Sequence, residues 1–114
     1  MSGDEILQDL PDFNTLLVEN PPATFAVRVS GGSMTGAGIF PKDIAVVRRD
    51  LTPTNGSVVV AVVGDGFTMK TYRQRNGRTI LEAANPAFSD IDVTGDETFE
   101  GWGCVAHVIR DHRL

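Results

Sequence analysis

A serine surrounded by small residues is the first group in this sequence with the setting of a nucleophile. Ser33 lies in the segment RVSGGSMTGAGIF, residues 28–40, where glycine stands at positions 31, 32, 36 and 38. A serine hydroxyl is a weak nucleophile unless a base removes its proton during attack. Backbone N–H groups without bulky neighbours can stabilise the oxyanion that forms. The segment indicates either a loop shaped by its own geometry or a loop that holds a nucleophile.

A lysine is the candidate base for this serine. Lys70 lies in the strand pattern FTMKTYR, residues 67–73, where alternation places its side chain on one face with Thr68 and Tyr72. Strand lysines mostly face solvent. A buried one would have a lowered pKa and supply a neutral amine near physiological pH. That amine could accept the proton of Ser33 and later protonate the leaving amine. The spacing alone does not establish the pair.

Other nucleophilic arrangements fit the sequence less well. The G-x-S-x-G nucleophile elbow fails at Thr35, and an S-x-x-K motif fails at Gly36. A Ser-His-Asp triad would need His107, which the pattern places on a strand, or His112, in a polar tail. The single cysteine, Cys104, is expected to be a small buried apolar residue.

Two segments resemble ligand-binding motifs only superficially. The stretch DIDVTGDETFEG, residues 90–101, follows a calcium loop at first, but Gly101 stands where a bidentate acid is required. We interpret it as a solvated acidic loop. The GAG at residues 36–38 has neither a third glycine nor a following Lys-Ser, as dinucleotide and phosphate loops would need. The sequence therefore predicts no metal and no cofactor.

Composition favours one soluble domain of ordinary type. The 114 residues are 41% hydrophobic and 22% charged, with a net charge of −5. This balance argues against direct DNA binding, which needs clustered basic residues. Arginines at positions 48, 49, 73, 75 and 78 are expected mainly at solvated turns and strand ends. The longest aliphatic run, residues 58–63, is too short to span a membrane, and a cytoplasmic location is expected.

Short strands joined by Gly, Asn and Pro turns must position the serine and the lysine. An acidic arm at residues 1–11 precedes a short helix capped by Asp12, and Pro21 and Pro22 are expected to end that helix. Six strand patterns follow, at residues 24–30, 43–49, 57–63, 67–73, 78–83 and within 98–111. The prediction is a mainly β fold of compact, twisted and partly closed antiparallel sheets. The domain division is 1–22 for arm and helix and 23–114 for the β domain.

Several of these stretches together resemble the catalytic domain of the LexA/UmuD family of self-cleaving SOS-response peptidases. They are SGGSM (30–34), PKDIAVV (41–47), FTMK (67–70), NPAFSDI (85–91) and GCVAHVIR (103–110). The resemblance implies a β fold shared with signal peptidases. It also implies that Ser33 is the nucleophile, that Lys70 is the general base, and that the Ser33 amide and the neighbourhood of Met34 face the oxyanion.

The segment LLVENPPATF, residues 16–25, is closer to the UmuD mutagenesis branch than to the LexA repressors. That branch implies a homodimer that joins a Y-family (UmuC-like) DNA polymerase in error-prone translesion synthesis. It also implies activation by the RecA–DNA filament. The alternative is the dimerising, self-cleaving domain of a LexA-like or phage repressor.

The bond that this family cuts has no counterpart at the expected place. The scissile Ala-Gly or Cys-Gly bond would fall before Met1, and the single Ala-Gly of the sequence, Ala37–Gly38, follows the nucleophile. We therefore expect a chain that resembles the processed form, or a naturally short version of it, with its catalytic residues but without a substrate bond of its own.

Overall fold

Seven strands form one antiparallel sheet, and a short helix precedes them. A computed structural model describes residues 8–10 and 12–113. The helix α1 spans Phe13–Leu17, and one 3-10 turn follows at Pro21–Ala23. The strands are β1 (Thr24–Arg28), β2 (Ile44–Arg48), β3 (Val58–Val63), β4 (Gly66–Arg75), β5 (Arg78–Glu82), β6 (Ile91–Asp92) and β7 (Glu100–Ile109).

Helix α1 begins where the sequence predicts and ends sooner. The Asp12 carboxylate caps it by accepting the Thr15 N–H at 2.9 Å. The helix does not continue to Pro21, because Val18 already leaves the helical region with φ −116° and ψ 82°. A five-residue helix gains little from propagation, and Phe13 on its apolar side is 79% exposed. Of the arm predicted for residues 1–11, residues 1–7 and 11 lie outside the described residues.

The strand order is β1-β2-β7-β3-β4-β5-β6, and every neighbouring pair is antiparallel. The register of β7 shifts twice, opposite Val46/Val47 of β2 and opposite Val60/Ala61 of β3. Such bulges bend a strand and increase its twist. The prediction of a mainly β, antiparallel fold is confirmed, with all seven strands hydrogen-bonded in a single sheet.

Strand β3 is apolar on both faces because each face meets a separate part of the core. Val60 belongs to one cluster, and its neighbours Val59 and Ala61 belong to the other. The first cluster also contains Val29, Met34, Ile39, Ala45 and Val47. The second contains Leu81, Val93 and Cys104. This explains why the strand has an unbroken aliphatic run instead of alternating residues.

The acidic segment at residues 90–101 is more structured than the sequence suggests. Most of its side chains are exposed, as expected. It nevertheless contributes β6, and Val93 is buried in the core. The pairing of Ile91 with Leu81 and of Asp92 with Ile80 extends the sheet by one short edge strand.

Candidate active site

Ser33 lies in the long connection between β1 and β2. Two hydrogen bonds close the base of this connection, from Val29 N–H to the Asp43 carbonyl at 2.9 Å and from Lys42 N–H to the Val29 carbonyl at 2.7 Å. Met34, the next residue after the serine, is buried in the first core cluster. An apolar anchor thus fixes the backbone beside Ser33, whose own side chain is half-buried.

Lys70 reaches Ser33 from β4 and is 6% exposed. Its Nζ donates to Ser33 Oγ at 3.3 Å and to Thr68 Oγ1 at 2.7 Å. Ser33 Oγ in turn donates to the carbonyl oxygen of Met69 at 3.3 Å. The structure therefore brings together the two residues that the sequence marks as nucleophile and base, and β4 supplies both hydrogen-bond partners of the hydroxyl.

The surroundings of Lys70 favour its uncharged form. Burial lowers the pKa of Lys70 below its ordinary value of 10.5, while the Asp90 carboxylate acts in the opposite direction. The Asp90 carboxylate is itself held by the Ala83 N–H at 2.9 Å. Desolvation is the larger effect, so a neutral amine is available at lower pH than for a lysine in water.

Residues 84 and 85, which follow β5, hold the backbone on both sides of Ser33. Ala84 N–H donates to the Ser33 carbonyl at 2.8 Å, and Gly36 N–H donates to the Ala84 carbonyl at 2.6 Å. Asn85 Nδ2 donates to the Gly32 carbonyl at 2.8 Å. A Cβ on Gly36 would collide with the Ala84 carbonyl, so glycine is required there by close backbone approach. We call Ala84 and Asn85 the 84–85 clamp.

The far end of the same connection is tied to a buried carboxylate. Asp43 accepts the Phe40 N–H at 2.8 Å and pairs with the guanidinium of Arg110. Arg110 also donates to the Gly38 carbonyl at 2.7 Å. Gly38 has φ +81°, a left-handed conformation that favours glycine. Two of the four glycines near Ser33 thus serve the shape of the loop itself.

A cleft of about 460 Å³ lies in front of Ser33 and Lys70. Its walls are mainly apolar, and Ser33, Lys70 and Thr68 are among its few polar side chains. The apolar lining comes from Val27, Val29, Met34, Val60, Phe67, Met69, Phe88 and Trp102. Such a cleft can hold an extended peptide with small apolar side chains beside the hydroxyl.

The other candidates of the sequence lie elsewhere, and within the described residues none hydrogen-bonds to Ser33. Lys42, the other lysine of the sequence, is exposed in the turn before β2. His107 lies on β7, and His112 is exposed near the chain end. Cys104 is buried, and burial raises the pKa of its thiol, which confirms the expectation of an apolar role.

Sequence reasoning gave no role to Asn85, Asp43 or Arg110. Asn85 occurs in the quoted NPAFSDI segment, and its Asn-Pro pair is a turn signal, which was the only available hint. Asp43 reads as an ordinary turn residue before β2. Its partner Arg110 lies 67 positions away, and no local pattern predicts such a contact.

No group of three or more His, Cys, Asp and Glu residues in the described part of the chain is arranged to hold a metal ion. Over residues 8–10 and 12–113, no helix is long and apolar enough to cross a membrane. The cleft itself presents the hydroxyl of Ser33, the amine of Lys70 and the backbone around them.

A half-buried serine and a buried lysine in one cleft of a β domain define a candidate serine peptidase site. The family model described as Peptidase S24-like matches residues 3–106. The chain therefore belongs to the peptidase S24 family, whose members are self-cleaving serine peptidases.

The relatives of this chain include LexA repressors and MucA proteins. It is 38% identical to the LexA repressor of Syntrophotalea carbinolica over 111 residues, which are 92% of this chain and 53% of that protein. It is 40% identical to Protein MucA of Salmonella typhimurium over 96 residues, or 83% of this chain and 65% of that protein. Protein MucA of Escherichia coli matches to the same extent. The chain spans about half the length of the LexA repressor it matches.

Proposed function

We propose that this chain is a serine peptidase domain in which Ser33 is the nucleophile and Lys70 is the general base. The observation that carries the proposal is the 3.3 Å contact between Lys70 Nζ and Ser33 Oγ in a largely apolar cleft. A lysine on a strand normally faces water, whereas this one is buried beside a serine hydroxyl. Family membership supports the same reading.

The reaction follows from these contacts. With Lys70 neutral, the Ser33 hydroxyl turns from the Met69 carbonyl to Nζ, which takes its proton as Oγ attacks the peptide carbonyl carbon. The oxyanion faces the amides of Ser33 and Met34. The lysine then protonates the leaving amine as the C–N bond breaks, leaving an ester on Ser33. A water molecule then attacks that ester and gives a proton to Lys70. Lys70 passes this proton to Ser33 Oγ as the carboxylic acid leaves.

The proposed substrate bond lies on another segment or another chain. Ala37–Gly38, the only Ala-Gly pair in the sequence, belongs to the nucleophile's own connection. Ala37 closes the 3-10 turn Thr35–Ala37, and Gly38 is held by Arg110. That bond cannot turn back onto Ser33 without breaking the loop. As the family resemblance implies, the proposed substrate is an arm with an Ala-Gly or Cys-Gly bond, and it reaches the cleft from outside this loop.

In the cell, we assign the chain to the mutagenesis branch of the family. Its role there is that of a cytoplasmic homodimer that joins a Y-family (UmuC-like) DNA polymerase, with the RecA–DNA filament as activator of cleavage. The similarity to the MucA proteins supports this assignment, because MucA is UmuD-like. The net charge of −5 fits a subunit that leaves DNA contacts to its partner.

The second candidate is the self-cleaving domain of a LexA-like repressor. The 38% identity to a LexA repressor over 111 residues favours it as strongly as the MucA similarity favours the first. The two roles differ in their partner. Complex formation with a purified Y-family polymerase, measured by sedimentation, supports the mutagenesis branch, and its absence from a folded dimer supports the repressor.

Cleavage in trans tests the peptidase directly. The chain is mixed with a catalytically dead relative that carries the arm, and product is followed from neutral pH to about pH 10, near the ordinary pKa of lysine. Cleavage should increase with pH because the neutral amine is the active form of Lys70. Both Ser33→Ala and Lys70→Ala should abolish it. A folded parent that gives no product at any pH would contradict the proposal.

A further inference from the structure

The carbonyl groups of Gly32 and Ser33 both point toward the 84–85 clamp. The Gly32 carbonyl accepts from Asn85 Nδ2, and the Ser33 carbonyl accepts from Ala84 N–H, both at 2.8 Å. The two halves of the 84–85 clamp therefore hold two consecutive peptide groups. A loop with so many glycines would otherwise have many backbone conformations available to it.

The orientation of a carbonyl fixes the orientation of the following amide. In a planar trans peptide the N–H points opposite to the C=O. Because both carbonyls face the 84–85 clamp, the N–H groups of Ser33 and Met34 both point away from it. Neither N–H donates to another group in the described part of the chain. Two adjacent free donors on residues that line the cleft form a site for a developing negative charge.

The side-chain amide of Asn85 is itself held in one orientation. Its Oδ1 accepts the Ala87 N–H at 2.9 Å, so its Nδ2 must face the Gly32 carbonyl. The same Nδ2 lies 3.3 Å from Thr35 Oγ1 on the other side of the serine. Pro86 restricts the backbone of Asn85 as well. The half-buried side chain of Asn85 is thus a rigid donor that fixes the peptide group between Gly32 and Ser33.

The geometry points to Asn85 as a positioning residue that sets the oxyanion site of Ser33. The Ala84 half of the clamp acts through its backbone, which leaves Asn85 as the one side chain of the clamp that holds a carbonyl of this loop. Asn85 does not touch the reacting atoms, and acts through the Gly32–Ser33 peptide. This inference rests on the peptidase function proposed above.

The test compares Asn85→Ala and Asn85→Asp with the parent in trans cleavage. Without the donor, the Ser33 amide loses its fixed direction, and kcat should fall by about 10- to 100-fold with little change in KM. Aspartate keeps the acceptor for Ala87 N–H but sets an oxygen against the Gly32 carbonyl, so it should be no better than alanine. Asn55→Ala is the matched control, because Asn55 also accepts a backbone N–H, that of Gln74, away from the cleft.

A second measurement separates positioning from a general loss of structure. A peptide aldehyde adds to Ser33 Oγ, and the resulting hemiacetal oxygen occupies the oxyanion site after the serine proton moves to it. Asn85→Ala should lose about tenfold or more in affinity for this aldehyde, and none for the matching uncleavable peptide amide. A merely structural role would weaken both ligands together.

The outcomes distinguish this inference from the proposed function. A parent that cleaves while Asn85→Ala keeps its kcat and its aldehyde affinity would overturn the positioning role alone. Equal loss of both ligands by Asn85→Ala would do the same. A folded parent that never cleaves would overturn the peptidase and this inference with it.

Discussion

The carboxylate of Asp43 receives two hydrogen bonds from the guanidinium of Arg110, at 2.8 Å each, across 67 positions of the sequence. Asp43 is 2% exposed, whereas the side chain of Arg110 is about half exposed and stacks over the Phe40 ring at 4.5 Å. The pair joins the start of β2 to the residue that follows β7. It thereby ties the connection that carries Ser33 to the end of β7.

Removing this pair should destabilise the fold and make it less sensitive to acid. The Arg110 guanidinium, followed by the Phe40 N–H, lowers the pKa of Asp43 from 3.8 to about 2. The stability that the pair contributes is therefore complete above about pH 4 and is lost as pH falls toward 2.

At neutral pH we expect Asp43→Asn to lower Tm by about 5 to 10 °C, because it leaves a hydrogen-bonded guanidinium without its charge partner. Thermal unfolding at a series of pH values checks this. The difference from the parent should shrink between pH 4 and pH 2. Asp111→Asn is the control, since the exposed Asp111 pairs with Arg113, two positions further along the chain. A constant difference across that range would contradict the assignment.

Lys70 should reduce stability while it enables the reaction. Its pKa is lowered by burial, so between that value and 10.5 the unfolded chain binds more protons than the folded one. Stability should therefore increase with pH in this window. We expect Lys70→Met to lack cleavage, to unfold at the same or a higher temperature than the parent at pH 7, and to show no such increase.

Denaturant unfolding of parent and Lys70→Met from pH 7 to pH 10.5 measures this difference, and Lys42→Met controls for the loss of an exposed lysine. The advantage of Lys70→Met should become smaller as pH rises. A parent that is more stable than Lys70→Met throughout would show that Lys70 contributes to stability.

Thr68 should affect the pKa and the orientation of Lys70, the proposed base. Its hydroxyl accepts a hydrogen bond from Lys70 Nζ at 2.7 Å. This contact is shorter than the one between Nζ and Ser33 Oγ, at 3.3 Å. Valine keeps the shape but removes the acceptor, which disfavours the ammonium and leaves Nζ less well directed. We expect Thr68→Val to move the pH profile of kcat to lower pH and to lower its plateau by about tenfold.

The pH profile of trans cleavage checks the role of Thr68, with Thr68→Ser as the control that keeps the hydroxyl. The serine variant should follow the parent closely. A Thr68→Val profile with the inflection of the parent would show that the contact does not affect the proton affinity of Lys70.

Trp102 offers a direct signal for occupation of the cleft. It is the only tryptophan in the sequence, lines the cleft, and packs against Phe25 at 5.5 Å and Phe67 at 6.0 Å between ring centroids. Phe67 is 68% exposed, so a peptide in the cleft would cover it. We expect a peptide with an Ala-Gly bond to shift the emission of the Ser33→Ala variant in a saturable way.

Calorimetry on the same sample provides the independent binding curve. The two dissociation constants should agree, and the fluorescence change should vanish when Trp102→Phe is added to Ser33→Ala. Heat of binding without any change in emission would place the peptide elsewhere on the surface.

The strands were predictable because their signals are local. An aliphatic run marks β3 and alternation marks β4. The turns TPTNG (52–56), GDG (64–66) and NG (76–77) bound β3, β4 and β5 to within a few residues. The two-residue β6 was missed, since nothing in an acidic loop indicates an edge strand so short. Helix α1 was predicted too long because the sequence does not show that its apolar side stays uncovered.

The site was predictable only in part, for a physical reason. The burial of Lys70 depends on a loop 37 positions earlier and contradicts the usual behaviour of strand lysines, so the family resemblance carried that assignment. The four glycines around Ser33 are compatible both with a loop shaped by its own geometry and with a loop that holds a nucleophile. The structure uses Gly36 for contact with Ala84 and Gly38 for a left-handed turn, and a Cβ at Gly31 would meet only open space.

The order of the strands also has a consequence for when the contact between Ser33 and Lys70 can form during protein synthesis. Ser33 lies between β1 and β2, Lys70 lies on β4, and the last strand of the chain, β7, sits between β2 and β3 in the sheet. We therefore expect Ser33 Oγ to meet Lys70 Nζ only after β7 has been synthesised and has joined β2 to β3. A nascent chain that lacks β7 would contain both residues of the proposed dyad but not the contact between them. The contact on which the proposed peptidase depends would therefore form only after translation has passed β7.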